Sequence, residues 1–418
     1  MAEEQFFPIF ISRLREEIEK IPPYNPAEPL KEIYREYWIP FGDSVAFNGP
    51  VVACDGSQGK SEFSGGLVAW MARAIAHISA GGPPIKAKPE VRVKVGYGLE
   101  GESIFMKAVE LQTLKAALEE ALREYGDVLA LHDGTLYLTF LHHPPYLEAR
   151  AEVLREYVSA LASLLELASM DGVRIIGVSK DSNITYLRAH IIHEVLSRNG
   201  VDMPSCRSIR EIRKALNKLS KDSDPSLIKG YLEEVKCDTS DENLYNWLVD
   251  EPGFTRPLLL APQTCYVLHE RGRSWSESYL RTKSPEVLAP FLEEVDKLYD
   301  LPPVALTYWK PKHGLRTYRL DVPSAMLGCA DKCGSMTTDK FASPIQIEAM
   351  KKLIAILNGL ENEAYGMAPL LAVDEIVRLD HGRYKTAYEP IILEELKAHG
   401  HNVKLRKRSV RDIFMRRY

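Results

Sequence analysis

The chain has 418 residues, 45% hydrophobic and 27% charged, with a formal net charge of −5; this composition excludes a disordered tail, a collagenous chain and a small disulfide scaffold. A globally basic nucleic-acid binder is excluded as well, although a local basic surface is not. The 6 cysteines are scattered, with only Cys329 and Cys333 close together, which points to a reducing compartment; the start lacks a signal-peptide core and no apolar run is long enough to span a membrane, so the expected location is cytoplasmic.

In chain order, Ile9, Ile11, Leu14 and Ile18 have helical spacing and predict a helix over 8–20, closed by the proline-rich stretch 22–29. Residues 1–45 read as a leading arm, packed on the core or used for assembly. Val51, Val52, Ala53 and Cys54 read as a short buried strand that ends in an Asp-Gly-Ser turn at 55–57. Residues 65–79 are one long strand or two paired ones. Val91, Val93 and Val95 alternate with Arg92 and Lys94, a strand pattern. A helix is expected over 103–124, a buried strand over 128–132 closing in Asp133-Gly134, a helix over 145–170, a strand over 173–179 and a helix near 184–197. Strands first, then helical crossovers, predict an α/β fold: a mixed five-stranded sheet of the ribonuclease-H type flanked by helices. Residues 46–199 would be the first part of that core. Residues 200–300 carry charge runs and proline breaks and read as a largely helical insertion. Residues 301–418 would complete the core, with paired strands over 303–323 and closing helices over 344–359 and 369–379. The last stretch, from Lys404, holds seven Lys/Arg against one Asp.

Several constellations carry chemistry. Asp55-Gly56-Ser57 and Asp133-Gly134-Thr135 each follow an apolar strand, so each carboxylate should emerge at a sheet edge. Two such carboxylates on neighbouring strands suit a hard divalent cation, which prefers oxygen ligands; taken singly, each is an ordinary turn. On the 103–124 helix, Ile104, Leu111, Leu118 and Leu122 form the core stripe, Glu110 lies at its edge and Glu120 points nearly opposite. Lys180 follows the strand at 173–179 and is a candidate phosphate contact, while Asp181 suits a helix cap. Cys329 and Cys333 lack a second pair at matching spacing, so zinc is not expected. Tyr308, Trp309, Lys310, Lys312, Arg316, Tyr318 and Arg319 make a basic–aromatic cluster of the kind that holds single-stranded nucleic acid, although strand propensity alone also supplies the tyrosines.

Together VVACDGSQG, MKAVELQTL, LALHDGTL and IIGVSKDS resemble the NurA nuclease family, and APLLAVDEIVRLDHG resembles that family's C-terminal helix. The resemblance covers about 45–185 well and 300–380 loosely. It implies a ribonuclease-H-like fold related to the Argonaute catalytic domain. It also implies a manganese-dependent DNA nuclease that works as a homodimer with HerA, a hexameric DNA-translocating ATPase, in end resection, repair or phage defence. Carried residue by residue, it makes Asp55, Glu110 and Asp133 metal ligands. Where the family presents a histidine after Pro-Leu-Leu, this chain has Asp374; His381, seven residues on, is the other candidate. The implied chemistry uses Mn²⁺ or Mg²⁺, two ions, with Asp55 shared between them, Glu110 and Asp133 on either side, Asp374 completing the set and Lys180 neutralising a phosphate. Lys310, Lys312, Arg316 and Arg319 are the expected DNA contacts. Two other readings compete: an actin-like kinase, which ATP turnover would reveal, and a catalytically inactive DNA-binding scaffold, which metal-dependent cleavage would exclude.

Overall fold

The computed structural model describes residues 2–20, 28–41, 44–80, 84–137, 150–201, 208–219, 230–232, 234–236, 239–261, 285–362 and 366–405. The basic stretch beyond 405 lies outside the described residues. The chain divides into two compact units, residues 1–38 with 183–249, and residues 39–182 with 250–418.

The first unit is helical. Its helices include Ala2–Ile18, Glu28–Glu36, Tyr186–Arg198, Ile209–Leu219 and Asp241–Leu248. Ala189, Ile192, Leu196, Ile209, Ile212, Leu216 and Val235 form its core. The buried Asp241 carboxylate accepts the backbone N–H groups of Leu187 and Arg188, which satisfies two orphan donors at the start of a helix. Helix Ala2–Ile18 behaves differently: Phe6, Phe7 and Phe10 are 68%, 65% and 57% exposed.

The second unit is a sheet with helices on both faces. Its elements are β1 (Val51–Glu62), β2 (Leu67–Ser79), β3 (Pro84–Tyr97), α1 (Glu102–Tyr125), β4 (Val128–Asp133), α2 (Ala151–Leu167), β5 (Val173–Ser179), β6 (Gly253–Thr255), β7 (Leu258–Leu260), α3 (Pro285–Asp300), β8 (Val304–Lys310), β9 (Tyr318–Pro323), α4 (Pro344–Asn358), α5 (Ala368–Val377) and α6 (Glu389–Ala398). The strands lie in the order β6–β8–β9–β5–β4–β1–β2–β3, with β7 also on β8. β1 pairs antiparallel with β2 and parallel with β4, and β4 is parallel to β5. The expected five strands are therefore only part of the sheet, which among the described residues has 11. β9 joins β5 antiparallel and carries β8 with it. β6 and β7 fall in a stretch read as helices and loops, and at 3 residues each they are too short to show a period of two.

Alternation along the strands decides which helix covers which face. Val51, Ala53, Leu129, Leu131, Ile176, Val178, Leu320 and Val322 share a core with Met350, Leu353 and Ile354 of α4 and Leu370 and Val373 of α5. Burying each such side chain stabilises the fold by roughly 1.5–3 kcal/mol. α1 covers the opposite face, where Cys54 Sγ donates to the Glu110 carbonyl. α1 is stopped by Gly126 in the left-handed region at φ 75°, whose N–H reaches the Leu122 carbonyl. α4 starts in a capping box between Ser343 and Gln346.

Two local expectations change. Residues 67–79 are one strand. The turn expected at 55–57 does not form, because β1 continues to Glu62 with every residue from Val51 to Glu62 paired to β2. A continuous antiparallel ladder outweighs the local turn preference of Asp-Gly.

Candidate active site

The parallel ladder between β1 and β4 ends at Cys54 opposite His132. The next residues on each strand are Asp55 and Asp133, so the register sets the two aspartates side by side, on the face covered by α4 and α5. Asp55 still pairs with Ile75 on its other flank. Its Oδ1 accepts the Gly56 N–H at 2.7 Å. Asp133 Oδ2 lies 3.1 Å from Lys180 Nζ. Lys180, expected at a phosphate, is thus engaged with a carboxylate of the site.

Glu110 arrives from α1. It is 1% exposed, not at the edge of its helix's buried stripe but within it. Gly56 makes room: a Cβ there would stand 3.2 Å from Glu110 Oε2. His132 Nδ1 lies 2.9 Å from Glu110 Oε1, and both side chains are buried. Neither atom has a well-directed hydrogen bond. Burial pushes the Glu110 carboxyl up, but His132 and then Lys107 outweigh it and hold the group below its ordinary value. Glu110 is therefore kept as an anion in a buried place. Sequence reasoning passed over His132 and Lys107. The signal was present for His132, a histidine inside the apolar run 128–132.

Asp374 projects from α5, half-buried beside the buried Leu370, Val373 and Val377. Arg73 of β2 donates from Nε to the Val377 carbonyl and from Nη2 to the Arg378 carbonyl, both at 2.7 Å. Leu379 N–H donates to Ser57 Oγ at 3.0 Å. These bonds tie the end of α5 to β1 and β2. An ion pair between Asp374 and Arg378 is absent among the described residues. His381 is not two turns further along the same helix. α5 ends at Val377, and His381 opens a separate one-turn helix capped by Asp380, where its side chain is exposed.

The electrostatics join these groups. Burial, then Glu110, Asp133 and finally Asp374 push the Asp55 carboxyl up to about 7, against the pull of the Gly56 N–H. Burial, then Glu110 and Asp55, also raise the Cys54 thiol. Asp55, Asp133 and Asp374 on one face and Glu110 from the α1 face are thus electrostatically coupled at one end of the central strands, and carboxylate oxygen is the donor type that Mg²⁺ and Mn²⁺ prefer. Among the described residues, no group of three or more His, Cys, Asp or Glu closes to ligand distance around a common point.

The expected DNA contacts divide. Lys312 and Arg316 are exposed, and Arg316 pairs with Asp181. Lys310 and Arg319 are 2% and 3% exposed. Arg319 is locked against Asp321, Nε to Oδ1 at 2.8 Å and Nη2 to Oδ2 at 2.9 Å. Both were expected at DNA; every residue of β8 and β9 is buried, so both faces of these strands are covered and the two side chains offer no face to a phosphate. Cys329 packs in the core and belongs to no ligand set among the described residues. No helix among them is long and apolar enough to cross a membrane.

The sequence pattern of the NurA domain matches residues 49–328, more than half of the chain. Among solved structures, the chain is similar to the crystal structure of the NurA nuclease from Sulfolobus solfataricus, with 12% identity over 95% of this chain and 97% of that one and a TM-score of 0.47. It is also similar to a crystal structure of NurA with manganese, at 15% identity over 91% and 96% of the two chains and a TM-score of 0.44. A crystal structure of NurA bound to dAMP and manganese matches at 14% identity, 93% and 96% coverage and a TM-score of 0.37. No curated protein matches the chain.

Proposed function

Because the chain belongs to the NurA family, we propose that it is a metal-dependent nuclease that hydrolyses the phosphodiester bonds of DNA. The observation that supports this reading is that the ladder register sets Asp55 beside Asp133 at the end of the central strands, with Glu110 and Asp374 close enough to act on the half-buried Asp55. Asp55, Glu110, Asp133 and Asp374 are the residues that would hold Mn²⁺ or Mg²⁺, two ions on this reading. When bound, such cations polarise the phosphate, ease ionisation of the attacking water and stabilise the leaving oxygen. His132 and Lys107 keep Glu110 ionised, ready to serve as a ligand. Lys180 holds Asp133 and carries positive charge to the place where a phosphate would lie. Lys312 and Arg316 remain the candidates for contact with the DNA backbone.

The finer reading extends this. The order β3–β2–β1–β4–β5, antiparallel in its first three strands and parallel thereafter, supports a ribonuclease-H-like core. The sheet unit, residues 39–182 with 250–418, forms the nuclease core, and the helical unit, residues 1–38 with 183–249, carries the segment that serves assembly. The chain acts as a homodimer in the cytoplasm with a HerA-type hexameric ATPase, in DNA end resection, repair or phage defence. The exposed apolar face of helix Ala2–Ile18 supports an assembly role. The test is a DNA cleavage assay with Mn²⁺, Mg²⁺ or EDTA, with and without a HerA-type partner. Cleavage that depends on the cation and is lost in Asp55→Asn is expected. No cleavage under any of these conditions would leave the scaffold reading.

A further inference from the structure

The turn that follows Asp133 is held in an unusual way. Residues 134–136 do not continue outward from β4. They fold back across the neighbouring strand β5, over Gly177. A Cβ on Gly177 would stand 2.6 Å from the Gly134 carbonyl oxygen and 3.0 Å from Leu136 Cγ, so the absence of a side chain there opens the path. Across that gap the turn meets Asp321 of β9, which the register places opposite Gly177. Asp321 Oδ2 accepts the Thr135 hydroxyl at 2.6 Å and the Leu136 N–H at 3.0 Å. Arg319 completes the arrangement: beyond its two bonds to Asp321, its Nη2 donates to Thr135 Oγ1 at 3.2 Å. Thr135 Oγ1 also accepts the Tyr137 N–H at 3.0 Å, and the Gly134 N–H donates to the Val178 carbonyl at 3.0 Å.

We propose that the buried Arg319–Asp321 pair is a positioning device for Asp133, stapling the turn 134–136 to β9 and so fixing where the Asp133 carboxylate points. The proposal rests on the metal-site reading above. A buried ion pair is a poor way to gain stability, because desolvation offsets much of its attraction. Its value here is directional. The guanidinium is planar and always charged, and it grips both carboxylate oxygens. That leaves Asp321 with fixed lone pairs for Thr135 and Leu136. Asp133, the last residue of its strand, would otherwise sit on a turn free to swing on its outer side. Residues that hold a metal ligand in place from outside typically change metal affinity by about 10–100-fold when lost.

The test uses the full chain, with Mn²⁺ alone as the probe, titrated calorimetrically without DNA, alongside thermal melting. Thr135 is half-buried, so Thr135→Val should fold. It is expected to weaken Mn²⁺ binding about tenfold, and Thr135→Ser, which restores the hydroxyl, to return it to within about twofold of wild type. Asp321→Asn is expected to weaken it at least as much; if that variant does not fold, the two Thr135 variants decide. Mn²⁺ affinity unchanged in Thr135→Val, with binding lost in Asp133→Asn, overturns the positioning role while leaving the metal site standing. Unchanged affinity in Asp133→Asn overturns the metal-site reading and this proposal with it.

Discussion

His132 and Glu110 face each other at 2.9 Å with both side chains 1% exposed, one residue before Asp133 on β4 and midway along α1. A carboxylate this deeply buried stays ionised only with positive partners close by. His132→Leu is expected to raise the Glu110 carboxyl toward neutrality and weaken Mn²⁺ binding by about tenfold or more. His132→Asn keeps a donor near the Nδ1 position and should retain part of the affinity. Calorimetric titration of Mn²⁺ checks this, and wild-type affinity in His132→Leu would show that the pair is only structural.

Asp55 gives the metal-free protein a pH-dependent stability. Its carboxyl stands at about 7 in the folded chain against an ordinary 3.8. Between those values the folded chain holds a proton that the unfolded chain has released. The contribution of Asp55 is therefore greatest below about pH 4, falls as the pH rises toward about 7 and then levels, a loss on the order of 4 kcal/mol from this group. Calorimetry in EDTA should show the melting temperature falling over that range. Asp55→Asn should flatten the dependence and stabilise the metal-free protein at pH 8. Saturating Mn²⁺ should recover the wild type at pH 8 and do little at pH 4. A wild-type melting temperature whose difference from Asp55→Asn stays constant between pH 4 and 7 in EDTA would contradict the assignment.

Asp374 distinguishes a four-carboxylate site from a three-carboxylate one. With no Arg378 pair among the described residues, Asp374→Ala removes little from the fold, and its melting temperature should match wild type. Metal-dependent cleavage should fall by at least about a hundredfold if the side chain is a ligand. Asp374→His should retain some activity, since imidazole also binds Mn²⁺. Wild-type cleavage by Asp374→Ala across a Mn²⁺ titration would reduce the site to Asp55, Glu110 and Asp133.

The stripe on helix Ala2–Ile18 predicts an assembly phenotype. Phe6, Phe7, Ile9, Phe10, Leu14 and Ile18 are all exposed in the single chain. Deleting residues 1–20 should lower the molar mass seen by light scattering, or abolish binding to a HerA-type partner, with little change in melting temperature. An unchanged oligomer that still binds the partner would rule out this role.

The site was more legible in the sequence than the sheet was. Asp55 and Asp133 stand out as a pair: one Asp-Gly closing an apolar run is an ordinary turn, but two of them, each at the end of a buried strand, are a pattern. Glu110 required its helix to be placed first, and its depth was not visible because one helix's own period does not show what packs over its edge. The run 128–132 was legible as a strand, but which strand lies beside it depends on pairings distant in sequence. For the same reason Arg319 read as a surface cation: the strand's own sequence does not show that both of its faces are covered, and its partner Asp321 lies two residues away on the same strand. The turn expected after Asp55 failed because a long partner strand outweighs a dipeptide's preference.

The antiparallel ribbon of β1, β2 and β3 is contiguous in the chain, whereas β4 and β5 reach it through helical crossovers and α5 comes from far downstream. Contacts close in sequence close at lower entropic cost and form sooner, and a chain under synthesis can use only what has emerged from the ribosome. Asp55 is therefore laid down first, Glu110 and Asp133 next and Asp374 last. On the reading above, a nascent chain carries part of its metal site before the final carboxylate exists, and the site is complete only once α5 has been synthesised.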